Sequence, residues 1–335
     1  MKRESNFELL RIVAIIFITI HHLLINGLNI CGYNKAFDIS GDSAIAVLLN
    51  SLCVGGVNTF ILISGWFGIK HIVRNVIRLL FDCAVYGLMA CLIYLVCTND
   101  SLNIYEFLNS MKFTSGWYVP NYIWLLLVSP IIEKSLLNIN LKTLRIWILI
   151  LSICQIYLGY YLKFVDANGY SAINFIYLYY IGRYLRLEEQ NVFYKKWANY
   201  GGLLWLVTGL ILGFIYLAAA YMHHSIESVR FWSYNNPLVL LGSVSVFVFF
   251  SIIKIQSNFI NYFATSVLGV YLLSSNSLIT SIRNYYAIKF FDIGGYCLFI
   301  LYAFLLVFFI GAIILIVNKL REPILTKLYK MINVF

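Results

Sequence analysis

Charge is scarce in this chain. Asp, Glu, Lys and Arg make up 11% of its 335 residues, against 61% hydrophobic residues and a mean hydropathy of +0.84. A water-soluble domain needs roughly a quarter of its residues charged to cover its surface, so no soluble domain is expected. Acidic residues are the scarcer sign, 14 against 24 basic, for a formal net charge of +10. In so apolar a chain that excess reads as membrane orientation and attraction to anionic lipid, not as nucleic-acid binding. Cysteine pairs are missing too. Cys31, Cys53, Cys83, Cys91, Cys97, Cys154 and Cys297 include no Cys-x-x-Cys. Most lie in apolar runs, as small buried hydrophobes do, so neither a metal site nor a disulfide framework is expected. No small-residue cleavage site follows the first apolar stretch, which argues against a cleavable signal. No internal repeat stands out, and with it the weak symmetry of many transporters goes unsupported.

What is abundant is aromatic and aliphatic: 26 Tyr, 25 Phe and 7 Trp, as suits rings placed at lipid headgroups. A helix needs about 20 apolar residues to cross the hydrocarbon core. Candidate spans are Leu9–Ile25, Ile45–Phe67, Val76–Cys97, Trp117–Ile132, Leu144–Leu162, Ile173–Leu187, Leu203–Tyr221, Leu238–Ile255, Phe259–Ile282 and Cys297–Val317. The expected fold is all-α, a polytopic membrane bundle of about ten helices forming a single domain over residues 1–335. Connecting loops are short, leaving no room for an extramembrane enzyme domain or a nucleotide-binding fold.

Charge asymmetry supports the count. With both ends cytoplasmic, the inner loops and helix ends hold all but six of the 24 Lys and Arg residues. The six outer ones are Lys35, Lys112, Lys163, Arg230, Arg283 and Lys289. One helix more or fewer inverts every later loop and destroys this bias. In the largest outer segment, Thr98 to Gly116, the apolar residues Tyr105, Phe107, Leu108, Met111 and Phe113 suggest a short amphipathic helix in the interface.

The first span carries ionisable residues on one face. Ser5-Asn6-Phe7-Glu8 reads as a capping box with Ser5 as N-cap. Arg11 and His22 then stand almost three full turns apart, so both face the same way, with Ile15 and Ile18 between them and His21 about 100° away. Phe7 to His22 spans roughly 22 Å of rise. His22 therefore sits in the outer half of the bilayer, and Glu8 and Arg11 at its inner boundary. An ionisable group at such depth is a functional candidate. His223-His224 near Glu227 and His71 beside Lys70 read as surface residues, because adjacent histidines rarely chelate one ion and a metal site needs three or four ligands.

These motifs resemble the membrane-bound acyltransferase-3 family. Asn6-Phe7-Glu8-Leu9-Leu10-Arg11 followed by His22 matches its first helix. Gly56-Val57-Asn58-Thr59-Phe60-Ile61-Leu62-Ile63-Ser64-Gly65 matches its second, with Asn58 in place of the commoner Asp. The basic run Lys70, Arg74 and Arg78 follows, then Trp117-Tyr118 and Ser129-Pro130. Later come Tyr234-Asn235-Asn236-Pro237-Leu238 and Leu268-Gly269-Val270-Tyr271-Leu272. Where relatives often carry His after this last segment, the chain has Ser274-Ser275-Asn276.

The resemblance implies transfer of an acyl group, O-acetyl foremost, from cytoplasmic acyl-CoA to a hydroxyl of a surface polysaccharide or lipid-linked glycan. It implies a cell-membrane location and no permanently bound cofactor. Arg11, Lys70, Arg74 and Arg78 are the candidates for the CoA phosphates, because guanidinium groups hold phosphate oxygens in paired hydrogen bonds. A salt bridge between Arg11 and Glu8 is the competing reading for Arg11. His22 is the candidate general base, since imidazole takes a proton near neutral pH. No Ser-His-Asp signature supports an acyl-serine, and an acyl-His intermediate stays open. Asn58, Trp117, Tyr118, Ser275 and Asn276 are the candidates for the acceptor pocket. A proton-coupled glycan transporter or flippase is the alternative. The absence of broken helices in matched halves argues against it.

Overall fold

The long apolar runs form helices that stop and restart more often than hydropathy alone suggests. The computed structural model describes residues 3–30, 41–98, 100–166, 168–222 and 228–332, and these are all-helical, with no strand among the described residues. His223, His224 and Glu227 lie outside the described residues. The elements are α1 (Ser5–His22, extended by a π-helical turn Leu23–Gly27), α2 (Gly41–Cys53), α3 (Gly56–Phe67), α4 (Ile72–Thr98) and α5 (Ile104–Met111). Next come α6 (Tyr118–Leu136), α7 (Leu141–Cys154, extended by the π-helical Gln155–Tyr161), α8 (Ala172–Glu188), α9 (Val192–Tyr221) and α10 (Ser228–Phe231). The chain closes with α11 (Pro237–Ser251), α12 (Asn258–Phe263), α13 (Val267–Ser274) and α14 (Ser277–Met331).

Helices lie on every predicted span. Among the described residues, six segments are long and apolar enough to cross a membrane by themselves: Ser5–Gly27, Ala44–Phe67, Ile72–Thr98, Leu141–Tyr161, Val192–Tyr221 and Ser277–Met331. With the large lipid-compatible surface on α7 and α9, they make this a membrane protein. α11 is apolar but shorter.

Three local details differ from the sequence expectation. The second predicted span is split at Val54–Gly55 between α2 and α3. The ninth is not one helix: it runs as α12, a 3-10 turn at Ala264–Ser266 and α13, and stops at Ser274. Asn276 then caps a new helix, its Oδ1 accepting from Leu278 N at 3.1 Å. Finally, α14 is broken at Gly294 and Gly295. The latter has φ 57° and ψ −150°, a backbone shape open essentially to glycine alone. Residues 296–331 then continue for about 54 Å, well beyond a hydrocarbon core of about 30 Å.

α1 is the central helix, packed against α2, α3, α11, α13 and α14. Its Phe7 ring meets Trp66 of α3 at 5.2 Å and Phe247 of α11 at 5.5 Å. α3 and α8 cross at a pair of glycines. A Cβ on Gly65 meets Tyr179 O at 2.4 Å, and one on Gly182 meets Leu62 O at 2.5 Å, the close backbone approach that small residues permit in membrane helices.

The predicted capping box is not formed. Glu4 is the N-cap of α1 and gives no side-chain bond. The Ser5 hydroxyl is turned away to accept from Ser257 N at 3.0 Å, and Arg3 donates to Asn261 O at 2.8 Å. These bonds, with Asn6 donating to Phe250 O and Ser251 O, tie the start of α1 to the α11–α12 connection. α5 does form in the predicted interfacial segment, with its own capping box between Asn103 and Glu106 and with Ile104, Tyr105 and Leu108 exposed.

Candidate functional site

A cavity of about 600 Å³ opens among α1, α3, α4, α6, α12, α13 and the last part of α14. Its walls are helical stripes. α3 contributes Val57, Phe60 and Ser64, α4 contributes Arg78, Asp82 and Tyr86, and α6 contributes Tyr118 and Tyr122. These spacings of three and four residues put each set on one face. α1 contributes Arg11 and, almost two turns further along, Ile18.

The cavity is graded along the α4 stripe, whose members, four residues apart, are spaced by about 6 Å of rise. At one end Arg78 pairs with Glu322 at 2.8 Å. One turn deeper Asp82 pairs with Arg321, both almost wholly buried. Arg321 Nε also donates to Asn318 Oδ1 at 2.6 Å, which accepts from Tyr86 OH at 2.8 Å. Beyond that level the lining is aromatic. Tyr118 stacks on Tyr122 at 5.7 Å and meets Tyr271 edge-on at 5.2 Å. The charged lining residues are Arg3, Arg11, Arg78, Lys319 and Arg321 against Asp82 and Glu322. The basic end thus suits an anionic group and the inner end a neutral one.

Of the predicted donor-site cations, Arg11 and Arg78 line the cavity. Arg11 keeps a 3.6 Å ion pair to the buried Glu8. Lys70 and Arg74 are exposed and outside the lining; Arg74 lies over the Tyr329 ring at 4.8 Å. His22 ends α1, one turn above Ile18, and is not itself in the lining. Its ring is partly exposed and makes no side-chain hydrogen bond among the described residues. His21 beside it is buried, with Nδ1 2.7 Å from Asn50 Oδ1. The α1 π-helical turn that follows packs against α14, and the Arg283 charge is within electrostatic reach of His22.

The predicted acceptor residues fall into separate places. Tyr118 lines the cavity. Trp117 lies beside it in an aromatic cluster, stacked on Tyr234 at 5.4 Å and edge-on to Tyr170 at 4.7 Å. Asn58 is fully buried and donates to Tyr234 O at 2.8 Å, which ties α3 to the turn before α11. Ser275 and Asn276 line a small crevice of about 40 Å³ with Gly116 and Val119. Asn276 Nδ2 donates to Ser110 O at 3.0 Å, and the buried Ser275 hydroxyl has no partner among the described residues. Among the described residues, only Tyr271 lines both spaces. Ser274 accepts on its carbonyl from Arg283 at 2.8 Å.

Sequence reasoning did not single out Asp82, Asn318 or Arg321. The signal for Asp82 was there: a carboxylate two turns inside a predicted span is costly unless paired. Its partner was hidden, because Arg321 lies past the end of the last predicted span and is brought in only by the long continuation of α14.

A family model described as an acyltransferase domain matches residues 4–317. No curated protein and no solved structure matches the chain.

Proposed function

The chain belongs to the acyltransferase-3 family, and we propose that it is an O-acyltransferase of the cell membrane. In this reading it crosses the membrane ten times with both ends cytoplasmic, and the basic end of the cavity faces the cytoplasm. The donor is acyl-CoA, with acetyl-CoA the form expected, and the acceptor is a hydroxyl of a surface polysaccharide or lipid-linked glycan. The observation that carries the reading is the graded cavity, cationic at Arg11 and Arg78 and tyrosine-lined below His22. Its volume is within the range of small-molecule and cofactor sites.

The CoA phosphates lie at the cationic end, with Lys70 and Arg74 drawing them in from outside the cavity. The neutral arm extends along the tyrosine wall and brings the thioester to the level of His22. There His22 takes the proton of the acceptor hydroxyl as its oxygen attacks the thioester carbonyl. The carbon–oxygen bond forms, the carbon–sulfur bond breaks, and the proton passes to the departing thiolate. Tyr118, Trp117, Asn58, Ser275 and Asn276 frame the acceptor side. Acetyl transfer by the purified chain, with labelled acetyl-CoA and a glycan acceptor, tests the reading. His22→Ala is expected to abolish transfer without lowering the yield of folded protein.

One observation favours a second reading. The helices are broken at Val54–Gly55 and at Ala264–Ser266, and interrupted helices build the binding sites of many transporters. Movement of intact glycan across vesicles without label transfer would favour that reading.

A further inference from the structure

The matched residues end at 317, yet the cavity wall continues through Asn318, Lys319, Arg321 and Glu322. The buried member of this group is Arg321, 4% exposed. Its guanidinium is held on three sides. Nη1 pairs with Asp82, Nε donates to Asn318 at 2.6 Å, and the Tyr86 ring lies 5.6 Å from its central carbon. Among the described residues Nη2 has no partner. A buried ion pair is a weak source of stability, since apolar residues of similar size often replace one at no loss. What three supports do achieve is a fixed orientation, which costs a ligand little to use.

We infer that Arg321, oriented by Asp82, Asn318 and Tyr86, is an anion-binding residue of the cavity, and that the part of α14 beyond residue 317 belongs to the site. This rests on the donor reading above and deepens it. Arg321's partner Asp82 stands one helical turn from Arg78 on α4, so the Arg78–Glu322 and Asp82–Arg321 pairs meet the cavity at successive levels of that stripe. A ligand matching both carries phosphate at two levels, as a nucleotide thioester with separated phosphate groups does. Arg321 then takes the inner phosphate through its open Nη2 edge. Asp82 is a positioning residue: it acts through Arg321 and holds no ligand itself.

The test is donor binding to the detergent-solubilised full-length chain, measured with CoA by calorimetry, alongside thermal unfolding of each variant. Arg321→Gln is expected to weaken CoA binding about tenfold or more, the scale of a lost charged hydrogen bond. Arg321→Lys is expected to fall between it and the parent, because it keeps the charge and loses the planar fork. Asp82→Arg combined with Arg321→Asp restores an ion pair with the charges exchanged. It is expected to recover unfolding temperature relative to Asp82→Arg alone, while CoA binding stays weak. Recovery of both would overturn the inference and leave the pair purely structural, as would unchanged CoA binding in a folded Arg321→Gln variant. An absence of CoA binding in the parent chain would overturn the donor reading itself, a distinct result.

Discussion

His21 Nδ1 lies 2.7 Å from Asn50 Oδ1, inside the contact between α1 and α2. That bond separates the roles of two adjacent imidazoles. His21 is buried and engaged, whereas His22, turned about 100° around the helix, makes no side-chain hydrogen bond among the described residues. His21→Ala is expected to leave a buried Asn50 amide without its partner and lower stability by about 1–3 kcal/mol. Transfer activity per folded molecule should survive in part. Unfolding temperature and transfer rate, measured together against His22→Ala, separate the two.

The α3–α8 crossing has no room for a side chain. Gly65→Ala is expected to push the helices apart and cost about 1–3 kcal/mol, the usual scale of overpacking. The change should appear as a lower unfolding temperature. An unchanged temperature contradicts the packing described.

Ser64 lines the cavity, and its hydroxyl is 3.2 Å from Tyr122 OH. Ser64→Phe places a ring where the donor arm is proposed to run. The donor KM should rise by about tenfold, equivalent to about 1.4 kcal/mol, with a much smaller effect on the acceptor KM. Steady-state kinetics with each substrate varied in turn checks this.

Away from the cavity, Glu188 at the end of α8 titrates below the usual carboxylate range. Burial pushes its carboxyl up, but hydrogen bonds from Arg145 and Asn191, with the Arg145 charge, together outweigh it. A carboxylate with a depressed native pKa stabilises the fold above its unfolded value, about 4.3 for Glu. That contribution is lost as pH falls through the native value. The difference in unfolding temperature between the parent chain and Glu188→Gln is therefore expected to be largest near neutral pH and to shrink on acidification.

Much of this architecture was legible because membrane helices announce themselves by apolar length. The Arg11–His22 stripe was legible for the same reason, since 3.6 residues per turn place both on one face. What escaped notice depended on distant chain meeting distant chain. Ser5 bonds Ser257 instead of capping its own helix, and a local motif holds no sign of a partner 252 residues away. Asp82 and Arg321 are likewise joined only by the fold. The break at Ser275–Asn276 was read through, because the apolar run continues across it and hydropathy does not register an Asn cap. Of the basic run, only Arg78 reaches the cavity. Lys70 precedes α4, Arg74 lies in its first turn, and the α4 stripe begins to face inward one turn later.

The central claim is a donor path from the Arg11–Arg78 end of the cavity to His22, and a cryo-EM structure with a non-hydrolysable acetyl-CoA analogue tests it most directly. Phosphate density is expected at Arg11 and Arg78, with the acyl carbon past Ile18 and beside the His22 ring. Density for the analogue elsewhere in the protein, with His22 sealed from it by side chains, would contradict a donor path to His22.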